Sequence, residues 1–250
     1  MIIDAHVHII LEHGGVQERT DELLHYADRL GISRLIACLG DRLKTQPTAE
    51  DLRQDNDYVL AAMAHRPDRM EGFCYASPSH VEASLAEIDR CVRDGPMRGI
   101  KLWICRHCDD PRNFPIVERA IELGVPVLQH TFIKATGNYP TESTPWHLAA
   151  LATRYPQAQF IMAHSGGDWL QGLRIVRHLP NISVDVCGGH PEQGQTELAV
   201  ELLGARRVIY GSDAGGRSFA SQLAKVLSAE IPEADRQLIL HGNITRIIGL

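Results

Sequence analysis

No apolar run in this chain approaches the ~18 residues of a membrane span. Its 25 basic residues are outnumbered by 31 acidic ones, a net charge of −6, so nothing in the charge balance attracts nucleic acid or an anionic membrane. The opening MIIDAHVHII has no basic segment and no cleavage site after a long apolar stretch, so a secretory signal is not expected. The six cysteines (Cys38, Cys74, Cys91, Cys105, Cys108 and Cys187) are scattered, several inside apolar runs. In a chain of this size that pattern argues for reduced, buried thiols and a cytoplasmic location rather than a disulfide framework. Cys105 and Cys108 form a Cys-x-x-Cys, but no second pair stands nearby to complete a structural zinc site. No linker rich in Gly, Ser or Pro, internal repeat or low-complexity tract divides the chain, so residues 1–250 are expected to form one domain.

What the chain does have is a series of short apolar runs rich in Val and Ile. They fall at 2–8, 34–40, 71–77, 98–104, 125–131, 158–164, 181–187 and 207–213. Near-continuous apolar strands are what a parallel sheet covered on both faces requires. The intervening segments show helical spacing: Leu23, Leu24, Ala27 and Leu30 form one stripe, and Leu85, Ile88, Cys91 and Val92 another. Gly31 and Gly124 stand where helices would stop. Strands alternating with helices mean α/β architecture, and eight units is the number that closes a (β/α)8 TIM barrel. An open doubly wound sheet is the alternative, but no Gly-x-Gly-x-x-Gly follows the first run. The tail from Ile231 to Leu250 reads as one or two closing helices packed on the outer ring.

The polar residues of these runs gather at their ends. His6 and His8 close the first, Lys101 lies late in the fourth, and His130, His164 and Asp213 end the fifth, sixth and eighth. Side chains two apart on a strand point the same way, so His6 and His8 share a face, as do Gly99, Lys101 and Trp103. Each residue alone has an ordinary reading: a strand-end histidine as a structural hydrogen-bonder, Lys101 as the partner of Asp4 or Asp185, Asp213 as a helix cap. Together, on the rim where barrel enzymes build their sites, imidazoles and a carboxylate form a mixed N/O ligand set suited to zinc, manganese or iron. A shared cation is the simplest way to compensate so many buried polar groups.

The Asp-Ala-His-Val-His opening, Gly-Ile-Lys-Leu at 99–102, His130, His164, Gly-Ser-Asp at 211–213 and the closing Gly-Asn-Ile-Thr-Arg-Ile-Ile-Gly-Leu resemble the amidohydrolase superfamily. The similarity is greatest to its amidohydrolase-related branch, which includes decarboxylases of the aminocarboxymuconate-semialdehyde type. The resemblance implies that His6 and His8 bind a divalent metal, most simply zinc, and that Asp213 is a ligand that also handles a proton. With one ion, His130 is the further ligand and His164 contacts water or substrate. With two, His130 and His164 bind the second ion and a carboxylated Lys101 bridges the pair, the arrangement favoured here because all six elements are present.

The first functional expectation is therefore hydrolysis of an amide, lactone or ester of a small molecule through metal-activated water, with Asp213 and His164 catalytic. Arg106, His190 and Arg217, in loops after the fourth, seventh and eighth runs, are candidate substrate anchors. The alternative is non-oxidative decarboxylation at the same site, and a third reading is a barrel that keeps the ligands without turnover. No macromolecular partner is expected beyond a possible homo-oligomer.

Overall fold

In the computed structural model, residues 1–10, 13–39 and 44–250 are described. Each expected apolar run holds a strand, and Gly40, at the end of the second run, lies outside the described residues together with the start of the connection that follows it. In chain order the strands are β1 (Ile3–Val7), β2 (Arg34–Ala37), β3 (Met70–Gly72), β4 (Cys74–Ala76) and β5 (Ile100–Leu102). After these come β6 (Val127–Gln129), β7 (Phe160–Met162), β8 (Ile182–Asp185) and β9 (Val208–Ile209). All pairings are parallel and sequential, in two runs, β1-β2-β3 and β4 to β9.

The two runs are one barrel. β3 and β4 are halves of a single stave interrupted at Phe73, whose amide still donates to the Ala37 carbonyl at 2.9 Å. At the interruption a Cβ on Gly99 would stand 2.7 Å from the Phe73 ring, so the ring fills the space that Gly99 leaves. The other seam closes through Ala5 N to Tyr210 O at 3.1 Å, Asp213 N to His6 O at 2.7 Å and His8 N to Ala214 O at 2.7 Å. The chain thus folds as a (β/α)8 TIM barrel.

Helices α1 (Val16–Asp28), α2 (Ala49–His65), α3 (Val81–Ile88), α4 (Phe114–Leu123) and α5 (Pro145–Arg154) lead from one stave to the next. So do α6 (Trp169–Val176), α7 (Gln195–Leu203) and α8 (Phe219–Leu227). Their starts and stops follow local chemistry. Thr48 and Asp51 form a reciprocal cap at the start of α2, and Gly124, at φ 66°, ends α4 in the left-handed conformation that a Cβ disfavours. Among the described residues, no helix is long and apolar enough to cross a membrane. All six cysteines are buried and unpaired.

Two apolar layers result. One lies between staves and helices and includes Val7, Ile9, Ala37, Ile100 and Val127; the other fills the barrel with Ile3, Ala5, Ile36, Phe73, Leu128, Ile161 and Ile209. The closing helices α9 (Glu233–Gln237) and α10 (Asn243–Ile248) differ from expectation. Ile244, Ile247 and Ile248 of α10 join the interior cluster, so the tail plugs the end of the barrel where the strands begin instead of covering the outer ring.

Candidate metal centre

Strand β1 carries a register shift between Asp4 and Val7. Ile3 and Ala5 belong to the interior cluster, whereas Val7 and Ile9 belong to the layer under the helices. Inward-facing parity therefore passes from odd to even residues near Ala5, and His6 and His8 enter the lumen together. A bulge re-aims side chains in this way.

Both imidazoles are held from behind. His6 Nδ1 lies 2.9 Å from Asp185 Oδ2, and His8 Nδ1 lies 2.7 Å from the Cys38 carbonyl oxygen. An ionised carboxylate and a carbonyl only accept, so each Nδ1 carries the proton and each Nε2 turns inward. There His8 Nε2 is 3.1 Å and His6 Nε2 is 3.9 Å from Asp213 Oδ1. Outer partners that fix the tautomer of inward-facing histidines are the usual support of a metal site. Burial, and then the charge of Lys101, push His6 down to about 4 and keep it neutral. Burial opposes a proton on His8, but Cys38 and Asp213 outweigh it and raise that group to about 10. Asp213 is held well below the usual carboxylate range against burial, chiefly by the hydrogen bond and charge of His8. An ionised carboxylate beside two buried imidazoles of fixed orientation fits a divalent cation, which would displace the proton on His8 as it binds.

A second chain of contacts runs across the mouth. His130 Nε2 donates to the buried Glu142 carboxylate at 2.9 Å, and Lys134 Nζ stands 2.8 Å from the same oxygen. His130 Nδ1 is then an acceptor, 3.1 Å from His164 Nε2. On its far side, His164 Nδ1 lies 3.3 Å from Cys187 Sγ, a thiol that burial keeps protonated. In the order Cys187, His164, His130, Glu142 the His164 Nε2–H is donated to the His130 Nδ1 lone pair, so a cation that took this lone pair would free the N–H. Burial pushes both rings down, so both are neutral.

The backbone is shaped to this end. His164 has φ 61° and Asp213 φ 61°, left-handed values that side chains rarely adopt and that collect at functional sites. The His164 amide donates to Asp185 Oδ1 at 2.7 Å, which supports the unusual turn.

Lys101 is buried, with Nζ 3.0 Å from His6 Nε2. The carboxylates expected as its partner are engaged elsewhere, Asp4 with the His6 and Ser212 amides and Asp185 with His6. Arg217 Nε lies 3.8 Å from Asp213 Oδ2. Arg106 is half-buried in the loop after β5, with its Nε lacking a hydrogen-bond partner. His190 is exposed and makes no hydrogen bond to the cluster among the described residues. Cys105 and Cys108 do not form a paired donor site: Cys105 Sγ contacts Ser77 Oγ at 3.1 Å, and the Cys108 amide donates to Ser143. The stacked His107 and His147, 4.0 Å apart, lie near Asp109, but the Thr144 amide donates to His147 Nδ1 and fixes that ring as the cap of α5.

Sequence reasoning named the rim residues but not their holders. Asp185 was read only as a partner for Lys101, and Glu142 and Cys187 carry no motif. Their strand-end or loop positions were the available signal.

The chain matches the amidohydrolase family over residues 3–250. It is 23% identical over 260 residues to 2-amino-3-carboxymuconate-6-semialdehyde decarboxylase of Dictyostelium discoideum, covering 88% of this chain and 72% of that protein. Its backbone superposes on 2,6-dihydroxybenzoate decarboxylase from Rhizobium with a TM-score of 0.80 at 18% identity, covering 99% and 98% of the two chains. A dihydroxybenzoic acid decarboxylase from Polaromonas, solved with manganese and the inhibitor 2-nitroresorcinol, gives a TM-score of 0.79 at 18% identity over 100% and 97%.

Proposed function

The chain belongs to the amidohydrolase family, and from that premise we propose that it is a divalent-metal-dependent, non-oxidative decarboxylase of a small carboxylic acid. The observation that carries the proposal is the convergence of His6 Nε2 and His8 Nε2 on Asp213, with both Nδ1 atoms tied back. Hydrolysis, the first expectation from sequence, uses the same shell; the decarboxylase relatives favour the alternative.

His6, His8 and Asp213 would hold the metal, with the lone pair of His130 Nδ1 as a fourth donor. Zinc suits this N/O set, and so does manganese, which the Polaromonas neighbour carries. A bound cation would supply positive charge to polarise a substrate oxygen.

The side chains account for the rest. Arg106, whose Nε has no hydrogen-bond partner among the described residues, and Arg217, beside Asp213, would hold a substrate carboxylate from the rim. Were His6 Nε2 given over to a cation, the Lys101 ammonium that now contacts it would donate to a substrate oxygen in the lumen. Loss of carbon dioxide leaves an electron pair on carbon, which must receive a proton. Asp213, having taken one proton from water at the mouth, would deliver it to that carbon and return to its ionised form, while the neutral His164 would orient the substrate through Nε2–H. This reading goes with one ion and an unmodified Lys101, in place of the two ions expected from sequence.

The test is to load the purified chain with zinc or manganese and assay aromatic and enoic acids for carbon dioxide, beside a panel of amides, lactones and esters. Carbon dioxide release that needs the metal is expected. Turnover of the second panel with none of the first would overturn the assignment.

A further inference from the structure

Outside the barrel, a cavity of about 470 Å³ opens between α1 and the segment Ala214–Ala220 that leads from the last stave into α8. Its walls differ in character. Leu23, Tyr26 and Phe219 give it an apolar side, with Tyr26 47% exposed at the edge. Arg19, Arg29 and Arg217 face the same space.

These arginines have donors to spare. Arg19 gives NH1 to Glu22 at 2.6 Å, but its Nε is buried without a partner. Arg29 has no side-chain partner among the described residues. Among the described residues, the side chain of Arg217 reaches only a long 3.8 Å contact with Asp213. A buried donor left unpaired is costly, and a guanidinium fork matches a carboxylate in two parallel hydrogen bonds. Although the chain carries a net −6, this cavity sets three guanidinium groups against the single carboxylate of Glu22.

We propose that this cavity is a second ligand site, for a small organic acid whose carboxylate meets Arg29 while its apolar body lies between Tyr26 and Phe219 and Arg19 keeps the far end of the groove positive. The site is separate from the lumen but shares Arg217 with Asp213. Occupancy here and substrate binding at the mouth are therefore linked through one side chain, and the coupling is reciprocal.

The inference does not depend on the reaction assigned to the barrel, and its test is a binding measurement. Benzoate is titrated calorimetrically into the full chain, before and after metal removal by chelation and dialysis. The same titrations are made with Arg29→Gln, at the C-terminal cap of α1, and with Tyr26→Ala, both exposed positions, the folding of each variant being checked by thermal melting. Binding that survives metal removal and weakens about tenfold in Arg29→Gln is expected. Three results would overturn it: a signal that vanishes with the metal, which assigns the acid to the lumen; one indifferent to both substitutions; or no binding up to about 10 mM.

Discussion

Asp185 Oδ2 lies 2.9 Å from His6 Nδ1, while Asp185 Oδ1 accepts the His164 amide at 2.7 Å, so one buried carboxylate sets two of the histidines at the mouth. Asp185→Ala would leave the His6 N–H unpaired and free the ring to turn. Metal affinity is expected to fall about 10–100-fold, the usual effect of losing an outer partner. Competition against a chromophoric chelator measures it, and an unchanged affinity would show that Asp185 only packs.

Gly188 and Gly189 offer a matched pair. Both have positive φ, 66° and 58°, so alanine strains the backbone at either. A Cβ on Gly188 would stand 2.3 Å from His164 Nδ1, whereas one on Gly189 meets nothing within 4 Å. Gly188→Ala is expected to lower kcat well beyond Gly189→Ala while metal content stays at the wild-type level. Equal kcat in the two variants would remove His164 from the chemistry.

The barrel was legible because each stave is short, apolar and bounded, and because barrel enzymes place polar residues at strand ends. What was not legible depends on departures from regularity. Strict alternation cannot announce the shift in β1 that turns His6 inward alongside Ala5. Nor does it show the break at Phe73, whose ring packs into the space left by Gly99 on the neighbouring stave. The tail's apolar stripe was visible, but an amphipathic helix reads alike whether it lies on the outer ring or plugs the barrel, as Ile244 and Ile248 do. Glu142 and Cys187 were passed over because their role is to fix which nitrogen of a neighbour bears a proton, and only proximity reveals that.

Asp4 gives a pH dependence. Burial raises its carboxyl from 3.8 to about 7, against hydrogen bonds from Ser212 and the His6 amide. With the folded value above the unfolded one, the stability Asp4 contributes is fully present below about pH 4 and is lost as pH rises through about 7, by up to roughly 4 kcal/mol. Asp4→Asn keeps an acceptor but cannot ionise. With chelator present to remove metal linkage, its melting temperature should match the wild type near pH 4 and exceed it at pH 8. Parallel curves across that range would mean that Asp4 ionises as readily folded as unfolded.

Lys101 decides how many ions the mouth holds. Its Nζ stands 3.0 Å from His6 Nε2, close enough for a carboxylated amine to bridge two cations or for a plain ammonium to donate inward. The two forms differ in charge, acceptor-rich and negative against donor-only and positive, so they suit different chemistry. A bridging carbamate would bring a second ion and favour attack by water on a carbonyl. An ammonium stabilises the negative charge that develops on a substrate oxygen as carbon dioxide leaves. Native mass spectrometry of the loaded chain is expected to show one ion and no increment of one carbon dioxide. In Lys101→Met the ion should be retained while kcat for decarboxylation falls about 100-fold, as for a charged donor removed from a water-excluded site. Two ions with the increment, both lost together in Lys101→Met, would return the assignment to hydrolysis.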